Sequence, residues 1–140
     1  MPSTQQLIEL IRKKHHVLVQ LRDIGRRQAD LVAGGEIGAL LKLLAGKQQL
    51  IAGLQTLEAD LKPYYAEDPD QRTWDSSADR AACAQLADEC NALLEEIVAL
   101  EKRGAEQMDA RRNDVAKQLH QVHAAAHVRG AYQSQRRTHA

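Results

Sequence analysis

The run Leu31-Val32-Ala33-Gly34-Gly35-Glu36-Ile37-Gly38-Ala39-Leu40-Leu41 decides the fold. Its two consecutive glycines separate two long segments with helical apolar periodicity, and glycine readily takes the left-handed conformation that closes a helix. Upstream, Leu7, Leu10, Ile11, Val17, Leu18, Leu21, Ile24, Leu31 and Val32 recur at three-four spacing, the pattern of a helix face packed on other helices. Ser3, followed three residues later by Gln6 and then Leu7, is a capping-box start, which predicts a first helix over about residues 4–33. Downstream, Glu36 places a negative charge at the positive dipole end of a second helix. The stripe of that helix runs through Ile37, Leu40, Leu41, Leu44, Ile51, Leu54, Leu57 and Leu61. Pro63 disfavours helical geometry at Lys62, which sets the second helix at about residues 36–63. Two glycines between helices of this length predict a tight antiparallel hairpin.

The next stretch, residues 64–77, has no helical period. It holds Pro69, the acidic residues Glu67, Asp68, Asp70 and Asp75, and the chain's single tryptophan, Trp74, and reads as the one substantial loop. Ser76 or Ser77 then caps a third helix whose seam is Cys83, Leu86, Cys90, Leu93, Ile97, Leu100 and Gly104, alternating three and four as in a coiled coil. One extra residue separates Gly104 from Met108, and the pattern resumes through Met108, Arg111, Val115, Leu119, Val122 and Ala126 before Gly130. The third helix is therefore expected over about residues 77–128, with a flexible tail from Gln133 to Ala140. At about 1.5 Å per residue it reaches roughly 75 Å, against roughly 40–45 Å for the other two, so about 20 of its residues should overhang the hairpin. The expected fold is all-α, an elongated antiparallel bundle or coiled coil of three long helices in one domain, with the third overhanging. The overhang, near residues 107–127, leaves a thin apolar stripe with basic shoulders. A second copy, a client helix, or the same helix folded back near Gly104 would each cover it.

Composition agrees with this layout and excludes several functions. The 140 residues include 22 Ala, 18 Leu and 14 Gln, all good helix formers, whereas aromatic residues are 3% and Phe is absent. No apolar run is long enough to span a membrane, and Met1 to Gln6 lacks a signal-peptide pattern, so no membrane role and a cytoplasmic location are expected. Cys83 and Cys90, seven apart on one helix, lie about 10 Å from each other and cannot form a disulfide. No phosphate-cradling glycine loop, nucleophile elbow or His-Glu-x-x-His is present, so neither enzymatic activity nor a cofactor is expected. His120, His123 and His127 share a helix face, but no Glu precedes any of them by three residues as a carboxylate metal site would require, and no metal is expected. The 19 basic and 19 acidic residues cancel, which gives no general reason to bind nucleic acid. Their distribution is uneven: residues 1–33 carry 6 basic and 3 acidic, 34–75 carry 4 and 7, 76–107 carry 3 and 7, and 108–140 carry 6 and 2. The first helix thus complements its two neighbours, and the C-terminal quarter keeps an unmatched positive excess.

Several local strings also bear a family likeness. The stretch from Gln28 to Gln48, a long helix followed by a glycine turn, a leucine run and Lys47-Gln48, resembles the FlgN family of flagellar type III export chaperones, which are in turn similar to the FliT chaperones. Asn91-Ala92-Leu93-Leu94-Glu95 and the ending His127-Val128-Arg129-Gly130-Ala131-Tyr132 are similar to that family's late Asn-x-Leu-Leu and its terminal Tyr near a Gly, so the likeness spans about residues 5–133. The resemblance implies a cytosolic chaperone without catalytic residues that covers the C-terminal helical segment of hook-filament junction proteins before secretion. Such a client, disordered when free, needs an apolar groove. Met108, Val115, Leu119 and Val122 are the expected client-binding anchors, with Arg111, Arg112 and Lys117 as rim charges meeting an acidic client. A homodimer through the third helix, or a homo-oligomeric coiled-coil scaffold or adaptor of another system, is the alternative use of the same stripe.

Overall fold

A computed structural model describes the backbone of residues 3–138 and the side chains of residues 3–122 and 124. Three helices follow in order: α1 (Thr4–Gly34), α2 (Ile37–Tyr65) and α3 (Ser77–Thr138), with one 3-10 turn at Pro69–Gln71 between the last two. The described residues are 91% helical, and α1 packs on both α2 and α3, so the fold is an all-α bundle.

The ends of the elements follow from local chemistry. Ser3 Oγ accepts the Gln6 backbone N–H at 3.2 Å, the first half of the capping box. The Gln6 side chain does not reach back to complete it; its carbonyl accepts the Tyr64 hydroxyl at 3.3 Å and ties α1 to the end of α2. α1 closes on Gly35, at φ 69°, whose N–H donates to Val32 while Glu36 N–H donates to Leu31 at 3.0 Å, the paired bonds of a left-handed helix cap. Ser76 Oγ accepts the Asp79 N–H at 3.1 Å and starts α3.

Two ends run further than the sequence predicts. Pro63 lies inside α2, which continues to Tyr65, because a proline in the last turn removes only one helical bond and Tyr64, 4% exposed, anchors that turn in the core. α3 likewise passes Gly130 and stays helical to Thr138, since one glycine disfavours a helix by only about 1 kcal/mol and does not stop it without a capping turn. The expected flexible tail is therefore helical over residues 133–138, and residues 139–140 lie outside the described residues.

The core gathers around Leu18 and Leu61, both 0% exposed, with Leu7, Ile8, Ile11, Leu21, Tyr64, Cys83, Cys90 and Leu93. Trp74 packs against this cluster from the loop. At Gly25 α1 and α3 approach closely; a Cβ there would stand 3.2 Å from Leu100 Cδ1. One expectation is corrected: Ile37 and Leu41 are 55% and 63% exposed rather than part of the buried stripe. Residues 37–57 contain only two charged side chains, Lys42 and Lys47, so α2 is apolar or uncharged nearly all round and periodicity could not select the inward face.

Ion pairs join the helices in the sense that the charge distribution requires. Lys14 Nζ meets Glu58 Oε1 at 2.6 Å between α1 and α2. Between α1 and α3, His15 Nε2 stands 3.0 Å from Glu89 Oε2, and Arg26 pairs with Glu96. Lys47, buried on α2, donates to Gln28 Oε1 at 3.3 Å and pairs with Glu101, so one side chain links all three helices. The chain divides into two compact units at Gly104, the residue after which the seam spacing of α3 shifts.

Candidate functional site

The expected anchors belong to the second unit, on α3 beyond Gly104. Advancing about 100° per residue, a helix brings Met108, Val115, Leu119 and Val122 into one arc about 60° wide. Arg111 and Arg112 stand at its two edges, Arg111 beside Val122 and Arg112 beside Leu119. Lys117 is about half a turn from Met108 and lies on the opposite face, so the helix groups the anchors with Arg111 and Arg112 but not with Lys117. Met108 is half-buried, and Val115, Leu119 and Val122 are 48%, 64% and 67% exposed. Arg111, Arg112 and Lys117 are exposed as well, and Arg112 Nη2 lies 3.6 Å from Asp109 Oδ1 one turn earlier. Val115, Leu119 and Val122 thus form an exposed apolar strip with two guanidiniums at its edge.

Both cysteines are free and buried, and burial pushes the Cys83 and Cys90 thiols above their ordinary range, which keeps them protonated and unreactive. The cleft between the start of α1 and the loop holds Glu67, Asp68 and Asp75 around Arg72. Arg72 is already engaged there, donating from Nη2 to the Tyr64 carbonyl at 2.6 Å and pairing with Glu67. No group of three or more His, Cys, Asp and Glu among the described residues is placed to hold a metal ion. His120 is exposed, and the side chains of His123 and His127 lie outside the described residues. No helix among the described residues is long and apolar enough to cross a membrane.

Sequence reasoning missed Lys47. The signal was present: it occupies the position seven residues from Leu40 and from Leu54, where the inward line of α2 otherwise carries leucine. Such a lysine needs a carboxylate and an amide from its neighbours, and Glu101 and Gln28 supply them.

The described residues thus define an all-α bundle of long helices, some of whose apolar side chains are exposed. The model of the family described as FlgN protein matches residues 1–139, and the chain belongs to this family of flagellar export chaperones. No curated protein and no solved structure matches it.

Proposed function

We propose that this chain is a cytoplasmic flagellar export chaperone that binds the C-terminal helical segment of hook-filament junction proteins and keeps it from aggregating before secretion. It works by covering a surface and catalyses no reaction. Met108, Val115, Leu119 and Val122 supply the apolar contact, Arg111 and Arg112 flank it, and Lys117 adds to the positive field that draws an acidic client. The observation that carries this reading is the exposure of Val115, Leu119 and Val122 along one face of α3, because apolar side chains at that spacing suit an amphipathic helix laid alongside.

The test is fluorescence polarisation with a labelled C-terminal peptide of a junction protein. Leu119→Asp combined with Val122→Asp should weaken binding at least about tenfold, since each change places a carboxylate in the apolar contact. Unchanged affinity would overturn the assignment. Oligomeric mass without client separates the scaffold alternative: a dimer through α3 that dissociates in the same double variant would mean that a second copy, not a client, occupies the stripe.

A further inference from the structure

α3 changes its way of holding the hairpin partway along the first unit. Up to Leu93 the grip is apolar: Cys83, Cys90 and Leu93 are buried in the core cluster, and Ile97 packs against its edge. From Val98 to Gly104 the one buried residue is Gly104, which has no side chain to bury. Val98 is 67% exposed, and Leu100 is half-buried against Gly25, a position that offers it backbone alone. Polar contacts take over there. Arg26 on α1 pairs with Glu96, and Lys47 on α2 pairs with Glu101 while donating to Gln28 Oε1 at 3.3 Å. Gly104 lies beside the same amide, since a Cβ on it would stand 3.5 Å from Gln28 Nε2. Leu31, Val32 and Leu40, buried nearer the hairpin turn, are outside the main cluster, with the Gln28-Lys47-Glu101 layer between.

The two kinds of hold differ in what loosens them. Burying Cys90 and Leu93 removes apolar area from water, a stabilisation that sodium chloride does not screen. An ion pair open to solvent is screened. The Arg26 and Glu96 side chains are 57% and 33% exposed, and Glu101 is 47% exposed although its partner Lys47 is only 11%. A segment with few buried apolar contacts and solvent-open polar ones opens by itself, at a lower free energy than global unfolding. Helical continuity does not prevent this, because a helix makes its backbone hydrogen bonds within itself and keeps them when its side chains lose a neighbour.

We propose that residues 98–104 of α3 are an electrostatically latched strap, which lifts from Gly25, Gln28 and Lys47 as ionic strength rises while residues 83–93 stay packed. Lifting frees about two turns of α3 together with the α1 face at Gly25 and Gln28 that they cover. The strap belongs to the first unit, and its failure would leave the client assignment standing.

The test is hydrogen–deuterium exchange of the full chain, read by mass spectrometry at about 0.02 M and about 0.5 M sodium chloride. Residues 109–122, all exposed, serve as the reference for an uncovered helix and cancel any effect of salt on intrinsic exchange. Relative to that reference, exchange at residues 98–104 should rise at least about threefold between the two salt concentrations, with residues 86–93 unchanged. Glu101→Lys sets like charges at the latch and should raise exchange at residues 98–104 at least about tenfold at low salt. Lys47→Met is the sharper variant. It fills the same space without a charge and should remove most of the salt response while leaving residues 86–93 as protected as in the parent chain, an outcome misfolding cannot mimic. Exchange at residues 98–104 that ignores salt, exchange at residues 86–93 that rises in step with it, or an undiminished salt response in Lys47→Met would each overturn the proposal.

Discussion

Lys47 occupies a leucine position, and the bundle tolerates it because Gln28 and Glu101 close around its ammonium. Its side chain is 11% exposed, so removing it leaves both a void and two polar groups without their shared donor. Lys47→Ala should lower stability by about 2 kcal/mol in urea denaturation. Arg26→Ala, which breaks an ion pair whose arginine side chain is 57% exposed, should lower it by less than about 1 kcal/mol. Equal losses would mean that burial does not distinguish the two pairs. Titration acts at the same scale. Burial opposes the charge on Lys14, but Glu58 and Tyr65 outweigh it and hold the ammonium above its ordinary 10.5, while burial raises both thiols above 9.0. In each case the folded chain keeps its proton longer than the unfolded chain. The stabilisation is present below the unfolded values and is lost as pH rises through the folded ones. The urea midpoint should therefore decline from about pH 9 upward, and Ellman's reagent at pH 8 should label the thiols far faster in urea than in the native protein.

At the scale of the element, the glycines of the first two helices play different parts, and substitution separates them. Gly35→Ala forces an L side chain to φ 69° at the α1 cap and should cost about 1 kcal/mol. Gly38→Ala meets nothing within 4 Å and should add up to about 1 kcal/mol, whereas at Gly25 the same change presses on Leu100 at 3.2 Å and should give no such gain. Thermal melts of the three variants order them directly. These positions also show what the sequence made legible. Gly34-Gly35 marked the turn, Ser3 marked the start of α1, and Cys83 through Gly104 marked the inward seam of α3, because each signal is local or strictly periodic. Ile37 and Leu41 misled because the first two-thirds of α2 is apolar or uncharged nearly all round, and only the positions of its neighbours choose the inward face. Glycine at position 130 misled for a related reason: whether it ends a helix depends on a capping turn that its neighbours do not supply.

For the whole molecule, the charge balance of zero resolves into parts with separate uses. The acidic first half of α3 is matched against α1 and α2 through Glu89, Glu96 and Glu101, and the basic excess of the sequence is left at the C-terminal quarter. If the proposed strip on α3 binds an acidic client, raising the salt concentration should weaken that binding while leaving the apolar core intact. The sequence reads as one domain, and the first compact unit ends at Gly104, where one extra residue breaks the seam of α3. The proposed anchors were legible as an apolar period, and the length of α3 against the other two helices led to the expectation of a stripe without an intrachain cover; the exposure of each side chain, 48%, 64% and 67% for Val115, Leu119 and Val122, depends on neighbours in space and not on spacing along the chain. Trp74 adds a consequence for anyone watching this protein unfold. It is the chain's single tryptophan and it is packed against the core of the first unit, so its emission reports the loosening of that unit alone. Far-ultraviolet circular dichroism weighs every helical residue, including those beyond Gly104. A circular-dichroism melt that begins before the tryptophan melt would measure, without any label, how independently the part of α3 beyond Gly104 frays.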